Sequence, residues 1–130
     1  MPLPPSDIRF LSDRRLEHDI TEDSGMTCVV LQQWPLPAGF DRTASDLLVR
    51  LSPGYPDIPP DMWWFYPAVH RENGEALPAT NAVEAYLGRN WQRWSRHFES
   101  GQWQSGVDGL ESFLALIRQD LTRSVPKSAQ

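Results

Sequence analysis

Apolar positions recur along this chain in two rhythms. Toward the C-terminus, Leu110, Phe113, Leu114, Ile117 and Leu121 fall at the i, i+3, i+4, i+7, i+11 spacing of one helical stripe. Asp108, with Glu111 three residues on, matches a capping box and predicts the helix start. Earlier in the chain the period is two. Met26–Gln33 places Cys28 and Val30 on one face and Val29 and Leu31 on the other. Ser45–Leu51 sets Leu47, Val49 and Leu51 against Leu48 and Arg50, and Asp61–Tyr66 puts Trp63 and Trp64 on opposite faces. One of those two tryptophans is expected in the core and the other beneath the long loop that follows. Glu17–Thr21 is a further strand, turned at Asp23-Ser24-Gly25. A short helix, capped by Ser6 or Asp7 and bearing Ile8 and Leu11, precedes it and runs to about Arg15. The expected architecture is α+β: an N-terminal helix, a four-stranded antiparallel meander, a long irregular loop, and a C-terminal helix packed on the sheet.

Between these elements the chain is punctuated by proline. Pro53, Pro56, Pro59 and Pro60 put four prolines into eight residues between the third and fourth strands. Proline fixes φ and donates no hydrogen bond, so this segment is neither helix nor interior strand. It reads as a stiff, extended connector. Trp34-Pro35-Leu36-Pro37-Ala38-Gly39 breaks the second strand into a loop, and Pro67–Thr80, with its Asn73-Gly74 turn, is a long surface loop. Asn81–Gly88 suggests one or two helical turns, and Asn90–Phe98 is dense in aromatics and cations. One domain is expected over residues 6–123, with flexible ends at 1–5 and 124–130.

Composition narrows the function. The formal charge of −5 is scattered along the chain, which argues against nucleic acid as the main partner. No apolar run approaches the roughly 20 residues of a membrane span, and the start Met1-Pro-Leu-Pro-Pro lacks the pattern of a secretion signal. A single cysteine excludes an internal disulfide and fits a reducing cytoplasm. His18, His70 and His97 are far apart, so no metal site is assigned, and no glycine-rich loop precedes a helix, so no cofactor or nucleotide is expected.

The motifs resemble a known family. Tyr55-Pro56-Asp57-Ile58-Pro59-Pro60 matches the Tyr-Pro-x-x-Pro-Pro connector of the ubiquitin-conjugating fold, which that family follows with a strand and then the loop that carries the thioester cysteine. His70 and Asn73-Gly74 fall where that family has a His-Pro-Asn loop, and Trp94-Ser95 where it has a Trp-Ser pair. Pro60-Asp61-Met62-Trp63, Trp94-Ser95-Arg96-His97 and Gly106-Val107-Asp108 are similar to a bacterial branch found beside ubiquitin-like proteins and their activating enzymes. The resemblance covers roughly residues 7–121 and implies two partners, a ubiquitin-like protein and a ubiquitin-activating-type enzyme.

The departures bear on chemistry. Laid on the family's Gly-x-x-Cys, Gly74-Glu75-Ala76-Leu77 puts Leu77 where the nucleophile belongs, and no cysteine lies downstream. Cys28 sits in a strand among valines, where free cysteine behaves as a small hydrophobe and not as an exposed, acidified thiol. Two readings follow, the first being the expected function and the second its alternative. In the first, the domain accepts an activated ubiquitin-like C-terminus on a hydroxyl as an oxyester. Ser95 would be the nucleophile with His97 as base and Arg96 stabilising negative charge, or Thr80 would serve with His70. The bland alternative makes Ser95 a surface hydroxyl and His97 a structural histidine. In the second reading the domain only binds. It would use Arg14 and Arg15 on the first helix, the connector residues Tyr55, Pro56, Pro59 and Pro60, and the aromatics Trp63 and Trp94. Trp91, Trp94 and Trp103 either anchor the long loop or form a partner patch.

Overall fold

The structure, a computed structural model, describes residues 3–60, 62–95, 103–104 and 107–125. Helix α1 (Pro5–Asp13) leads into strands β1 (His18–Asp23), β2 (Met26–Pro35), β3 (Ala44–Leu51), β4 (Met62–Tyr66), β5 (Val83–Tyr86) and β6 (Arg89–Ser95), and helix α2 (Leu110–Arg123) closes the chain. The strands form one antiparallel sheet in the order β1-β2-β3-β4-β6-β5. The α+β expectation holds in outline, with a six-stranded sheet in place of a four-strand meander. The two extra strands come from Asn81–Gly88, read as helical turns, and from the tryptophan-rich segment after it. Val83–Tyr86 and Arg89–Ser95 pair as a hairpin around Leu87 and Gly88, which both take positive φ (53° and 78°). Ser24 (φ 52°) and Gly25 (φ 79°) likewise make the tight β1–β2 turn that their positions in the sequence suggest.

One face of the sheet carries the main core. Val29 and Leu31 of β2, Leu47, Val49 and Leu51 of β3, Trp63 and Phe65 of β4 and Trp94 of β6 meet the α2 stripe of Leu110, Phe113, Leu114, Ile117 and Leu121. Trp34 joins them although strict alternation would send it outward. A bulge between Leu31 and Trp34, with Gln33 at φ 53°, shifts the phase of β2. The Asp46 carboxylate accepts the Gln33 backbone N–H at 3.0 Å and so compensates for the interrupted ladder. The strand therefore continues through Trp34 to Pro35 where the sequence suggested a break.

The opposite face holds a second, smaller core of Cys28, Leu48, Trp64 and Trp91, flanked by Val30, Met62 and Tyr86. Trp64 thus packs under the β5–β6 hairpin and not under the long loop. Tyr86 on β5 lies three strands from β3, about 14 Å away in a flat sheet. Yet the Arg50 guanidinium of β3 stands 3.9 Å over the Tyr86 ring, and Arg89 pairs with Asp46 at 2.9 Å. The sheet curls, and the hairpin closes over the outer face.

The proline connector is not extended. It is a run of turns in which Tyr55 N–H donates to Ser52 O (3.0 Å) and Ile58 N–H to Gly54 O (2.9 Å). A Cβ on Gly54 would meet the exposed Ile58 side chain, which would have to turn aside. Tyr55 is buried, and its hydroxyl donates to the buried Asp7 carboxylate. The other Asp7 oxygen accepts Leu110 N–H at 3.1 Å, so a residue of α1 caps the start of α2. The expected cap, Asp108, instead accepts Gln104 N–H at 2.7 Å, and Gly109 is the N-cap residue. A Cβ on Gly109 would stand 2.9 Å from Asp7 Oδ1, which is why glycine precedes the helix. Trp103 completes the joint by donating Nε1–H to Pro56 O at 2.8 Å.

The loop between β4 and β5 is held from within. Gln92 of β6 accepts Val69 N–H (2.8 Å), donates to Val69 O (3.0 Å) and accepts Trp94 Nε1–H (2.9 Å). Arg71 donates to Ser124 O beyond α2 and to Ala76 O, both at 2.8 Å.

Three outcomes follow from these joints. Asp7→Ala leaves Tyr55 OH and Leu110 N–H without their acceptor and is expected to cost about 2–3 kcal/mol in urea unfolding, against near zero for the exposed Arg9→Ala. Burial and the Asp7 bond push the Tyr55 hydroxyl pKa upward, so this tyrosine stays neutral in the fold where an unfolded one ionises. Its contribution is full below about pH 10 and lost above it, and Tyr55→Phe should flatten the alkaline fall of the unfolding free energy. Gln92→Leu strands Val69 N–H and C=O and Trp94 Nε1–H, and is expected to cost about 2 kcal/mol. Hydrogen exchange across residues 67–82 should rise with it.

Candidate functional site

The loop clamped by Gln92 and Arg71 walls a cleft of about 480 Å3, whose lining includes His70, Leu77, Thr80, Val83 and Gln92. His70 is exposed and is placed by its backbone, whose N–H donates to Asp41 Oδ1 (3.1 Å) and whose carbonyl accepts Asp41 N–H (2.9 Å). Thr80 is buried at 7% exposure, and its hydroxyl donates to Leu77 O at 3.0 Å. Leu77 itself is buried within the main core. The turn carrying Thr80 is fastened to β6, because Ser95 N–H donates to Ala79 O at 3.1 Å. The cleft therefore brings together His70, Leu77 and Thr80, with half-buried Ser95 tied to the adjoining turn. Arg96 and His97 lie outside the described residues.

Cys28 is on the other side of the sheet. It is buried in the outer core beside Leu48, Trp64 and Trp91, separated from the cleft by the strands themselves. No thiol reaches the cleft among the described residues.

The residues proposed for partner binding divide by exposure. Arg14 and Arg15 are exposed at the end of α1, where the Arg14 guanidinium pairs with Glu111 at 3.1 Å. Pro56 and Pro59 are half-buried. Tyr55 and Pro60 are buried, and Trp63 and Trp94 have no exposed surface at all. Trp63 stacks on Trp94 with centroids 6.2 Å apart and meets Phe113 edge-on at 5.9 Å. The expectation that Trp63 and Trp94 face a partner is corrected: alternation turns both toward α2, and their area is spent on the core. Trp91 is buried in the outer core, and Trp103 staples the connector, so neither is a surface patch. Between α1, the connector and the start of α2 lies a second groove, about 360 Å3, lined in part by Pro4, Phe10, Pro56 and the largely exposed Val107.

Sequence reasoning missed Asp7, Gln92, Arg71 and Asp41 as the residues that build these surfaces. Only Gln92, a polar side chain between Trp91 and Trp94, carried a local signal, since a polar group buried among aromatics must be paired. Among the described residues, no group of three or more His, Cys, Asp or Glu side chains is gathered for a metal ion, and no helix is long and apolar enough to cross a membrane.

Comparison with known proteins gives one match. No curated protein and no solved structure matches the chain. The family model for prokaryotic E2 proteins, family E, matches residues 3–124, from the buried start of the N-terminal segment to the residue capping α2. That span includes both helices and all six strands. The chain belongs to Prokaryotic E2 family E, a bacterial family of ubiquitin-conjugating-like proteins.

Proposed function

We propose that this domain receives the C-terminal tail of a ubiquitin-like protein at the His70–Thr80 cleft without forming a thioester. The activating-type enzyme docks beside exposed Arg14 and Arg15, along the groove between α1 and the connector. The observation that carries this reading is the fate of the nucleophile position. Leu77 stands there by resemblance and is packed in the core, while the chain's one cysteine is buried behind the sheet. A thiolate carrier needs exposed sulfur, and Cys28, although the Arg50 guanidinium lies beside it, is 1% exposed. What remains is a clamped, preformed cleft, which supports recognition because little ordering is left for the partner to impose.

A second reading keeps covalent transfer, and one observation favours it: Thr80 and His70 line the same cleft. In that case the Thr80 oxygen attacks the carbonyl of the activated tail, His70 takes the hydroxyl proton, and the activating enzyme's thiolate departs. Ser95 is the other hydroxyl at this end of β6.

Incubation with the cognate activating enzyme, the ubiquitin-like protein and ATP separates the two. Receptor function gives co-elution of the ubiquitin-like protein and no covalent shift. A carrier gives a band resistant to thiol reductant, cleaved by hydroxylamine or alkali, and lost in Thr80→Ala or Ser95→Ala. Such a band would overturn the receptor reading.

A further inference from the structure

Resting on the reading that this domain receives a ubiquitin-like tail, we propose that the open edge of β5 is the docking strand, along which the tail adds as a seventh antiparallel strand.

The register defines what that edge offers. Val83 lies opposite Gln92 and Glu84 opposite Trp91, and Arg93 N–H donates to Ala82 O at 2.9 Å. Ala82 and Arg93 are therefore a directly bonded pair, and in an antiparallel ladder bonded pairs alternate with unbonded ones. The backbone groups of Ala82, Glu84 and Tyr86 point to β6. Those of Val83 and Ala85 point away from it, and β5 is the last strand of the sheet. Two N–H and two C=O groups thus face outward in the spacing of an incoming strand.

The two edges of the sheet are not alike. β1, the other edge, carries Asp19, Glu22 and Asp23, charges of the kind that discourage strand addition. Among the described residues β5 has no such guard. Its single acid, Glu84, is turned toward the outer core, where it accepts Trp64 Nε1–H at 2.9 Å and pairs with Arg93 at 3.3 Å. Val83 is 63% exposed and Ala85 is exposed as well, a bare apolar edge.

Direction and position favour a tail over other occupants. β5 begins at the cleft, which Val83 lines together with Thr80, and runs away from it to the hairpin turn. A strand added antiparallel to β5 runs the opposite way, so its C-terminal end arrives at Thr80 and His70. An extended chain terminus is the partner that gains most from such an edge, with backbone bonds giving affinity and alternate side chains meeting Val83 and Ala85. A second copy fits less well. Self-pairing through a strand of four residues falls far short of the roughly 1,000 Å2 expected of a stable interface, and each copy carries a formal charge of −5.

The test uses the full chain, isotope-labelled, with the ubiquitin-like protein from the same genome and a form of it lacking the flexible tail. The intact partner should slow exchange of the Val83 and Ala85 amides about tenfold, and the truncated one should not. Ala85→Pro removes only an outward N–H, which an edge strand tolerates. It should leave the circular dichroism and Tm unchanged and weaken binding about tenfold. If that variant unfolds, the exchange data on the unaltered chain decide. Binding with both amides unprotected, or with Ala85→Pro at full affinity, overturns edge docking and leaves the receptor reading standing. Absence of any binding, covalent or not, sinks both. Protection that instead tracks the concentration of the domain alone, with a doubled mass in sedimentation, assigns the edge to a second copy and overturns the proposal.

Discussion

A single buried carboxylate holds the arrangement of helices and connector together. Asp7 is almost without solvent contact, and a carboxyl group in that position is tolerated only when its oxygens are satisfied. One oxygen takes the Tyr55 hydroxyl and the other the first amide of α2, so the start of the chain, its proline turns and its last helix meet at one side chain. Gly109 exists as a glycine because that meeting leaves no room for a Cβ. With α2 fixed at this end and Arg71 bound to the carbonyl of Ser124 at the other, the apolar stripe lies across the sheet in one register. The inner core follows from that placement.

The outer face follows from curvature. A six-stranded antiparallel sheet with helices on one side ordinarily leaves the other side to water. Here the β5–β6 hairpin turns back, placing Tyr86 beneath Arg50 and edge-on to Trp64 at 5.5 Å, and sealing Cys28 from solvent. Among the described residues, the same curl ends the sheet on β5, next to the cleft. Closure of one face and exposure of one edge are consequences of a single bend.

This geometry gives the family membership a particular content. The chain belongs to Prokaryotic E2 family E, and it has a leucine where the resemblance asks for sulfur. The loop beside that position is tied down by hydrogen bonds to its neighbours. Gln92 mimics a strand partner for Val69, and Asp41 does the same for His70 through its side chain and main chain. On the proposed receptor function, a cleft held by such supports leaves the ordering to the partner's tail alone.

Periodicity determined the α2 stripe and the faces of β2 and β3, turn-forming residues gave the β1–β2 turn, and the motif Tyr55-Pro56-Asp57-Ile58-Pro59-Pro60 carried the resemblance. Each of these depends on neighbours within a few residues, where spacing and backbone preference act directly. The rest was decided between distant residues. Val83–Tyr86 has no strong local preference and becomes a strand because β6 offers it a ladder. Trp34 enters the core because a bulge supported by Asp46 shifts its phase. Trp63 and Trp94 were legible as large aromatics but not as core, since only the position of α2 says which face is covered. The cap on α2 comes from Asp7, 103 positions earlier in the chain, a distance at which local sequence carries no signal and only packing brings acceptor to donor.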